Sequence, residues 1–82
     1  MKNKFNKDEI DNLYINIGKK VKEYREKNNM TQLELSYAMG YKSVSLVSSA
    51  ELFTREKHFN LEHLYKISRI LNISINDLIP IH

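Results

Sequence analysis

Apolar residues in the first third of the chain recur at steps of three and four, which is the spacing of one face of a helix. This spacing predicts a first helix from about Lys7 to Lys27, and Asn6 with Glu9 has the spacing of a capping box at its start. Gly18 costs a helix about 1 kcal/mol relative to alanine, so we expect it to permit a close approach by a neighbouring helix. The apolar face comprises Ile10, Leu13, Tyr14, Ile17, Val21 and Tyr24.

Two shorter helical segments follow. Thr31 and Glu34 form a second capping box, and the helix that it opens should end at Gly40, because glycine readily adopts the left-handed conformation that ends a helix. A third helix of roughly two turns should come next, with Ser43 or Ser45 as its N-cap. Its shared face comprises Val44, Val47, Ala50 and Glu51.

The last part of the chain contains one exposed connection and two more helical segments. Residues 52–59 have no clear period, and we expect Phe53 or Phe59 to anchor them. Asn60 should then cap a fourth helix, and Ser74 should cap a fifth that ends before Pro80. The apolar residues of the fourth helix are Leu61, Leu64, Ile67, Ile70 and Leu71.

These elements predict an all-α fold of five helices, with no strand of alternating pattern. A chain of 82 residues fits one domain. We divide it into a flexible N-terminal extension at residues 1–6, a helical domain at residues 7–79 and a C-terminal tail at residues 80–82.

Composition excludes several classes of protein. The sequence has no cysteine, so neither a disulfide framework nor a thiolate metal site is possible. No stretch approaches the roughly 18 apolar residues of a membrane span, and no signal peptide is apparent, so we expect a cytoplasmic protein. His58, His63 and His82 share no helical face, and we expect no metal and no other cofactor. No serine has a plausible histidine base, so we expect no enzyme activity.

Charge adds a mild preference for an acidic partner. Thirteen Lys and Arg against ten Asp and Glu give a net charge of +3. Part of the positive charge is grouped at Arg55, Lys57 and His58, immediately after the third predicted helix. A solvated loop is the alternative interpretation of this group.

Three segments together resemble the Cro/CI-type (XRE-like) helix-turn-helix family of phage and bacterial repressors. They are IGKKVKEYREKNNMTQLELSYAMG, VSSAE and LEHLYKISRILNISINDLI, and they span Ile17 to Ile79 in the family's order. The resemblance implies a compact domain of the phage-repressor type, whose second and third helices form the DNA-binding helix-turn-helix, with the third in the major groove. The sequence departs from the family by one extra residue after Gly40 and about two between Glu51 and Leu61.

The resemblance also implies which residues contact double-stranded DNA. Base-reading positions fall in and before the third helix, and phosphate contacts fall on polar and basic residues around it. Gln32 suits a phosphate because it lies at the start of the second helix, although an exposed residue without a ligand is the alternative. The implied base-reading residues are Ser43, Val44, Ser45 and Ser49, and the implied phosphate contacts are Gln32, Lys42, Arg55 and Lys57.

Two further groups of residues have a predicted structural role. Arg25 follows Val21 by one helical turn and Glu51 follows Val47 by one turn, so both charges should point inward and form an ion pair. The C-terminal end is rich in isoleucine, and we interpret it as a dimer patch, with burial in the monomer core as the alternative. The patch comprises Ile73, Ile75, Ile79 and Ile81.

The function predicted from the sequence is that of a sequence-specific transcriptional regulator, a repressor or autoregulator, that binds double-stranded DNA at a pseudo-palindromic operator as a homodimer. The alternative is a protein-interaction module on the same fold, such as an antitoxin-like or anti-repressor-binding partner. Leu33 motivates this alternative, because the family commonly has a polar residue there.

Overall fold

A computed structural model describes residues 4–80. Ile81 of the predicted dimer patch lies outside the described residues, as does His82. The described chain contains no strand, so the all-α prediction is confirmed. Its elements are α1 (Lys7–Lys27), α2 (Gln32–Ala38), α3 (Ser45–Leu52) and α4 (Leu61–Leu71), with short 3₁₀ turns at Thr54–Glu56 and Ile75–Leu78.

The expectation of five helices is wrong, because the described residues form four α-helices. The final segment is a 3₁₀ turn of four residues, although Ser74 and Asp77 cap it in both directions, as expected. Pro80 explains why the turn does not grow into an α-helix: a residue before proline avoids the helical region. Ile79 accordingly has an extended backbone, at φ −102° and ψ 109°.

Side-chain capping explains where α1 and α2 begin. At the start of α1, the N–H of Glu9 donates to Asn6 Oδ1 at 2.7 Å. At the start of α2, the N–H of Glu34 donates to Thr31 Oγ1 at 3.0 Å, while the N–H of Thr31 donates to the Glu34 carboxylate at 2.8 Å. Each bond satisfies a backbone N–H that a helix leaves without an internal partner.

The turn between α2 and α3 begins at Gly40, whose φ of 97° lies in the region that glycine tolerates best. The helix α3 then starts at Ser45 with Val44 in the N-cap position, so the expectation that Ser43 or Ser45 is the N-cap is wrong. Ser43 contributes to this start, because its Oγ accepts the N–H of Ser45 at 3.2 Å. The short turn holds α3 against α2.

The core lies where all four helices meet. Phe59 is almost fully buried and anchors the connection between α3 and α4, whereas Phe53 is only partly buried. The core therefore anchors the connection at Phe59, next to α4, rather than at Phe53, next to α3. The buried apolar residues are Ile17, Val21, Leu35, Met39, Val47, Ala50, Phe59, Leu64, Ile67, Leu71 and Leu78.

Gly18 is the point of closest approach between α1 and α3. A Cβ atom added at Gly18 would lie 2.7 Å from the carbonyl oxygens of both Ala50 and Glu51. Any larger residue would push the two backbones apart, so the sequence-based expectation of a close helix contact is confirmed.

None of the helices in residues 4–80 has the length and apolar character needed to cross a membrane.

Candidate nucleic-acid interface

The helix α3 has a buried face and an outward face. Val47, Ala50 and Glu51 are buried, which fixes the rotation of the helix about its axis. The opposite face follows the spacing i, i+3, i+4, i+7 and is half-buried or exposed. This face, which we call the α3 outer face, comprises Ser45, Ser48, Ser49 and Leu52.

The α3 outer face contains two of the residues implied as base readers, Ser45 and Ser49, and two that sequence reasoning missed. Ser48 and Leu52 share the helical phase of Ser45, so the same three- and four-residue spacing could have found them. Ser48 Oγ donates back to the Ser45 carbonyl at 3.2 Å.

The turn before α3 contains the other implied contacts. Lys42 and Ser43 are exposed, and Val44 is half-buried. Ser43 Oγ and Ser45 Oγ are 3.1 Å apart and hydrogen-bonded, so the turn and the first residue of α3 form one polar cluster. A hydroxyl can both donate and accept, which allows contact with several bases but selects strongly for none.

An ion pair beneath α3 attaches it to α1. Arg25 Nε donates to Glu51 Oε2 at 2.7 Å, and Arg25 Nη2 donates to Glu51 Oε1 at 3.1 Å. The two residues are only 6% and 3% exposed, respectively. Sequence reasoning predicted this pair from the phases of the two helices.

Two more hydrogen bonds complete this buried network. Arg25 Nη1 donates to the Met30 carbonyl at 2.7 Å, and Gln32 Nε2 donates to Glu51 Oε1 at 3.0 Å. The network therefore joins α1, α3 and the start of α2. The hydrogen bonds that Arg25 donates to Glu51 raise the pKa of Arg25 above its ordinary value, so the guanidinium stays charged.

Gln32 consequently has a structural contact that the sequence did not reveal. Its side chain is half-buried and its amide nitrogen binds Glu51, a residue 19 positions further along the chain. An amide group has two N–H donors and one carbonyl acceptor. The bond to Glu51 uses one of the two N–H donors.

The basic group after α3 divides into two parts. Arg55 and Lys57 are exposed, whereas His58 stacks on Tyr14 of α1 at 3.7 Å between ring centroids. Lys7 adds a second link between α1 and this connection, through an ion pair with Glu56 at 3.2 Å. The connection is thus braced by α1, with two cations facing solvent.

Backbone strain accompanies this bracing. Phe53, Arg55 and Glu56 all have positive φ, at 56°, 52° and 62°. Residues with a side chain adopt this conformation at a cost of about 1 to 2 kcal/mol each.

The other histidine within residues 4–80 has a structural contact. His63 Nδ1 accepts the N–H of Asn60 at 3.0 Å and so helps to cap α4. Burial lowers the pKa of His63 below its ordinary value. Within residues 4–80, no three histidine or acidic side chains lie together in a way that could hold a metal ion.

The aliphatic residues implied in protein contacts differ in exposure. Ile73, Ile75 and Ile79 are half-buried and pack against the core, so each has only part of its side chain available to another chain. Leu33 is more than two-fifths exposed, on the outer side of α2.

Comparison with known proteins identifies the region that contains this site. A family model described as Helix-turn-helix matches residues 21–78, which is well over half of the chain. The match includes α2, α3 and α4, and it leaves the first two-thirds of α1 outside. Among proteins of curated function, none matches the sequence.

Proposed function

The chain belongs to the Cro/CI-type (XRE-like) helix-turn-helix family and is a DNA-binding regulator of that type, and from this we propose how it engages DNA. The α3 outer face enters the major groove of a specific operator, and the protein acts there as a transcriptional repressor or autoregulator. It binds as a homodimer, with one α3 in each half of a pseudo-palindrome.

The observation that carries this proposal is that the α3 outer face lies opposite the buried face of the helix and is not covered by the core. A major groove about 12 Å wide accepts one helix, provided that a second helix holds it in place. Here α2 and the Arg25–Glu51 pair hold the opposite side of α3, and three of the four residues of the α3 outer face are serines, the fourth being the exposed Leu52.

Base reading in this proposal comes from hydroxyls and one valine: Ser45 and Ser49 on α3, with Ser43 and Val44 before it. None of these can form the bidentate pairs that arginine makes with guanine or glutamine with adenine. We therefore propose that specificity comes from many small contacts, bridging waters and DNA deformability.

Affinity in this proposal comes from phosphate contacts on both sides of α3. Lys42 and the remaining N–H of Gln32 lie before the helix, and Arg55 and Lys57 lie after it. Neutralising phosphates releases condensed counterions, so binding should weaken strongly as salt increases.

The test is binding to sites selected from random duplex DNA. Ser45→Ala and Ser49→Ala should each weaken specific binding about threefold to tenfold, the loss expected for one hydrogen bond. Asn76→Ala removes an exposed polar side chain remote in sequence from α3 and should leave affinity unchanged. Unchanged binding by both serine variants would show that α3 reads the operator differently.

A second candidate function is a protein-interaction module on this fold. The exposed apolar side chains of Leu33 on α2 and Leu52 on the α3 outer face favour it. Salt separates the two functions: DNA affinity should fall by roughly 10³ between about 50 and about 200 mM salt, whereas an apolar protein contact should hardly change.

A further inference from the structure

A groove between α2 and α4 forms a surface separate from the α3 outer face. It is open to solvent, has a volume of about 320 Å³ and lies between the C-terminal end of α2 and the second half of α4. We call it the α2–α4 groove. Its lining comprises Ala38, Met39, Tyr65, Lys66, Arg69 and Ile70, so none of the described residues of α3 takes part.

The floor of the α2–α4 groove is apolar. Met39 is only 4% exposed and Ile70 is half-buried, and both pack with the core. Ala38 and Tyr65 are exposed at the edges. Covering apolar surface with a hydrophobic side chain is favourable, and methionine adapts its shape to what covers it. The floor therefore suits an aliphatic or aromatic side chain of a partner.

Arg69 forms a restrained cationic edge of the groove. Its Nη1 donates to the Tyr65 hydroxyl at 2.8 Å, and its guanidinium carbon lies 5.8 Å from the centre of the Tyr65 ring. These contacts restrain the side chain but use only one of the guanidinium N–H donors that they involve, so the others are available to an acceptor. The planar guanidinium matches a carboxylate through two hydrogen bonds. Arg69 is therefore suited to an acidic side chain.

Lys66 adds a second cation beside the same floor. Its Nζ lies 5.3 Å from the centre of the Tyr41 ring and 3.1 Å from the Glu62 carboxylate. The Glu62 side chain is 70% exposed, and an exposed ion pair contributes little stability, so a partner's carboxylate can replace Glu62 at little cost. Among the described residues that line the groove, none is acidic. The lining therefore has two cations and no opposing charge.

We propose that the α2–α4 groove binds an acidic peptide segment of a partner protein. An apolar side chain of the segment covers the floor, and carboxylates on either side of it bind Arg69 and Lys66. Charge complementarity selects this occupant. Two copies of the groove facing each other would place like charges together, and the phosphates of a duplex would leave the apolar floor uncovered. The inference does not depend on how α3 reads DNA, because the groove lies on other helices.

Fluorescence anisotropy with a labelled peptide and the full chain tests the proposal. The probe is a short capped peptide with a leucine between two pairs of aspartates, and the control probe has asparagine in place of every aspartate. At about 50 mM salt, the acidic probe should bind with a dissociation constant of roughly 10 to 300 µM, and the control probe at least about fivefold more weakly. Equal affinity for the two probes, or no binding of the acidic probe at about 1 mM protein, would overturn the proposal.

Substitutions in the lining locate the binding. Arg69→Gln removes the charge but keeps an amide donor, and should weaken binding of the acidic probe about fivefold to tenfold. Ala38→Glu places a carboxylate at the exposed edge of the groove and should weaken binding at least as much, because it repels the probe. Circular dichroism melting would show that each variant is folded. Wild-type affinity in both folded variants would overturn the proposal.

Lys22→Gln is the matched control for Arg69→Gln. It removes the same charge from an exposed position of α1 outside the groove lining, so affinity for the acidic probe should not change. If Lys22→Gln weakens binding as much as Arg69→Gln does, the probe responds only to net charge and the groove is not its site.

Competition with DNA separates this inference from the proposed function. An excess of unlabelled duplex should leave the acidic probe bound, because the groove and the α3 outer face share no residue. Displacement of the probe by the duplex would show that the peptide occupies the DNA-binding surface, which overturns the proposal. If the protein binds the probe but no duplex at low salt, the proposed function fails and the groove assignment stands.

Discussion

Arg25 shows how one residue can control the geometry of the proposed DNA contact. Its guanidinium binds both carboxylate oxygens of Glu51 and the Met30 carbonyl, away from water. A buried ion pair adds little net stability, but removing one partner leaves an uncompensated charge. The pair therefore acts by fixing the position of α3 relative to α1.

We predict that Arg25→Ala lowers the free energy of unfolding by about 3 to 5 kcal/mol, which is a large part of the stability of a small domain. Urea denaturation would measure this loss. Lys22→Ala, at an exposed position of the same helix, should change stability by less than about 0.5 kcal/mol. An Arg25→Ala protein with unchanged melting and DNA affinity would show that the pair does not position α3.

Gly18→Ala tests the close contact of α1 with α3. Helix propensity alone would make alanine more stable by about 1 kcal/mol. The added Cβ would lie 2.7 Å from two backbone carbonyl oxygens, however, and backbone cannot rotate away as a side chain can. We expect a net loss of about 1 to 3 kcal/mol, measured by thermal unfolding, with Lys19→Ala as the exposed control. A higher melting temperature for Gly18→Ala would contradict the contact.

At the scale of elements, patterns among neighbouring residues predicted the bounds and caps of helices. The features that were missed depend on contacts between residues that are distant in the chain. The sequence predicted α1 at Lys7–Lys27 because its apolar stripe and its caps are encoded in adjacent residues. The capping box of α2 was predicted for the same reason. The 3₁₀ turn at Ile75–Leu78 was mistaken for a helix because its capping residues are those of an α-helix.

The connection between α3 and α4 could not be predicted from local sequence. Its left-handed residues lack the glycine that normally signals this conformation. Contacts with a distant part of the chain brace it instead: Glu56 with Lys7, and His58 with Tyr14. The hydrogen bond from Gln32 to Glu51 was likewise missed, because it depends on how α2 packs against α3.

The cap of α4 should make stability depend on pH. Neutral His63 accepts the N–H of Asn60, and burial lowers the pKa of His63 below 6.5. The unfolded chain therefore takes up a proton at a higher pH than the folded protein does. The contribution of His63 is complete above about pH 6.5 and is lost as pH falls through the lower pKa of the folded state.

We predict that the melting temperature falls more steeply below about pH 6 in the wild type than in His63→Gln. Glutamine keeps a side-chain acceptor for the Asn60 N–H but does not titrate. Melting curves from about pH 8 to about pH 4.5 would compare the two proteins. Parallel curves would show that His63 has no part in the acid response.

At the scale of the whole molecule, a net charge of +3 is too small to identify a DNA-binding surface by itself. The placement of the basic residues matters more. Arg55 and Lys57 are exposed on the braced connection after α3, whereas Arg69 is on α4 and donates to the Tyr65 hydroxyl at 2.8 Å.

The salt dependence of DNA affinity should report which cations contact phosphates. Arg55→Ala and Lys57→Ala should each reduce the slope of log affinity against log salt by about one, and weaken binding similarly on all sequences. Arg69→Ala should leave the slope unchanged. Fluorescence anisotropy over a salt series would measure the three slopes, and equal slopes in all variants would exclude the connection as a phosphate contact.

The length of α1 has a practical consequence for work on this protein. A fragment trimmed to residues 21–78 would keep the matched family segment but lose Ile17 from the core, Gly18 from the contact with α3 and Tyr14 from beneath His58. Such a fragment would have an open core and an unsupported connection. A failure of this fragment to bind DNA would then result from the missing two-thirds of α1, so binding studies require the whole of α1 from Lys7.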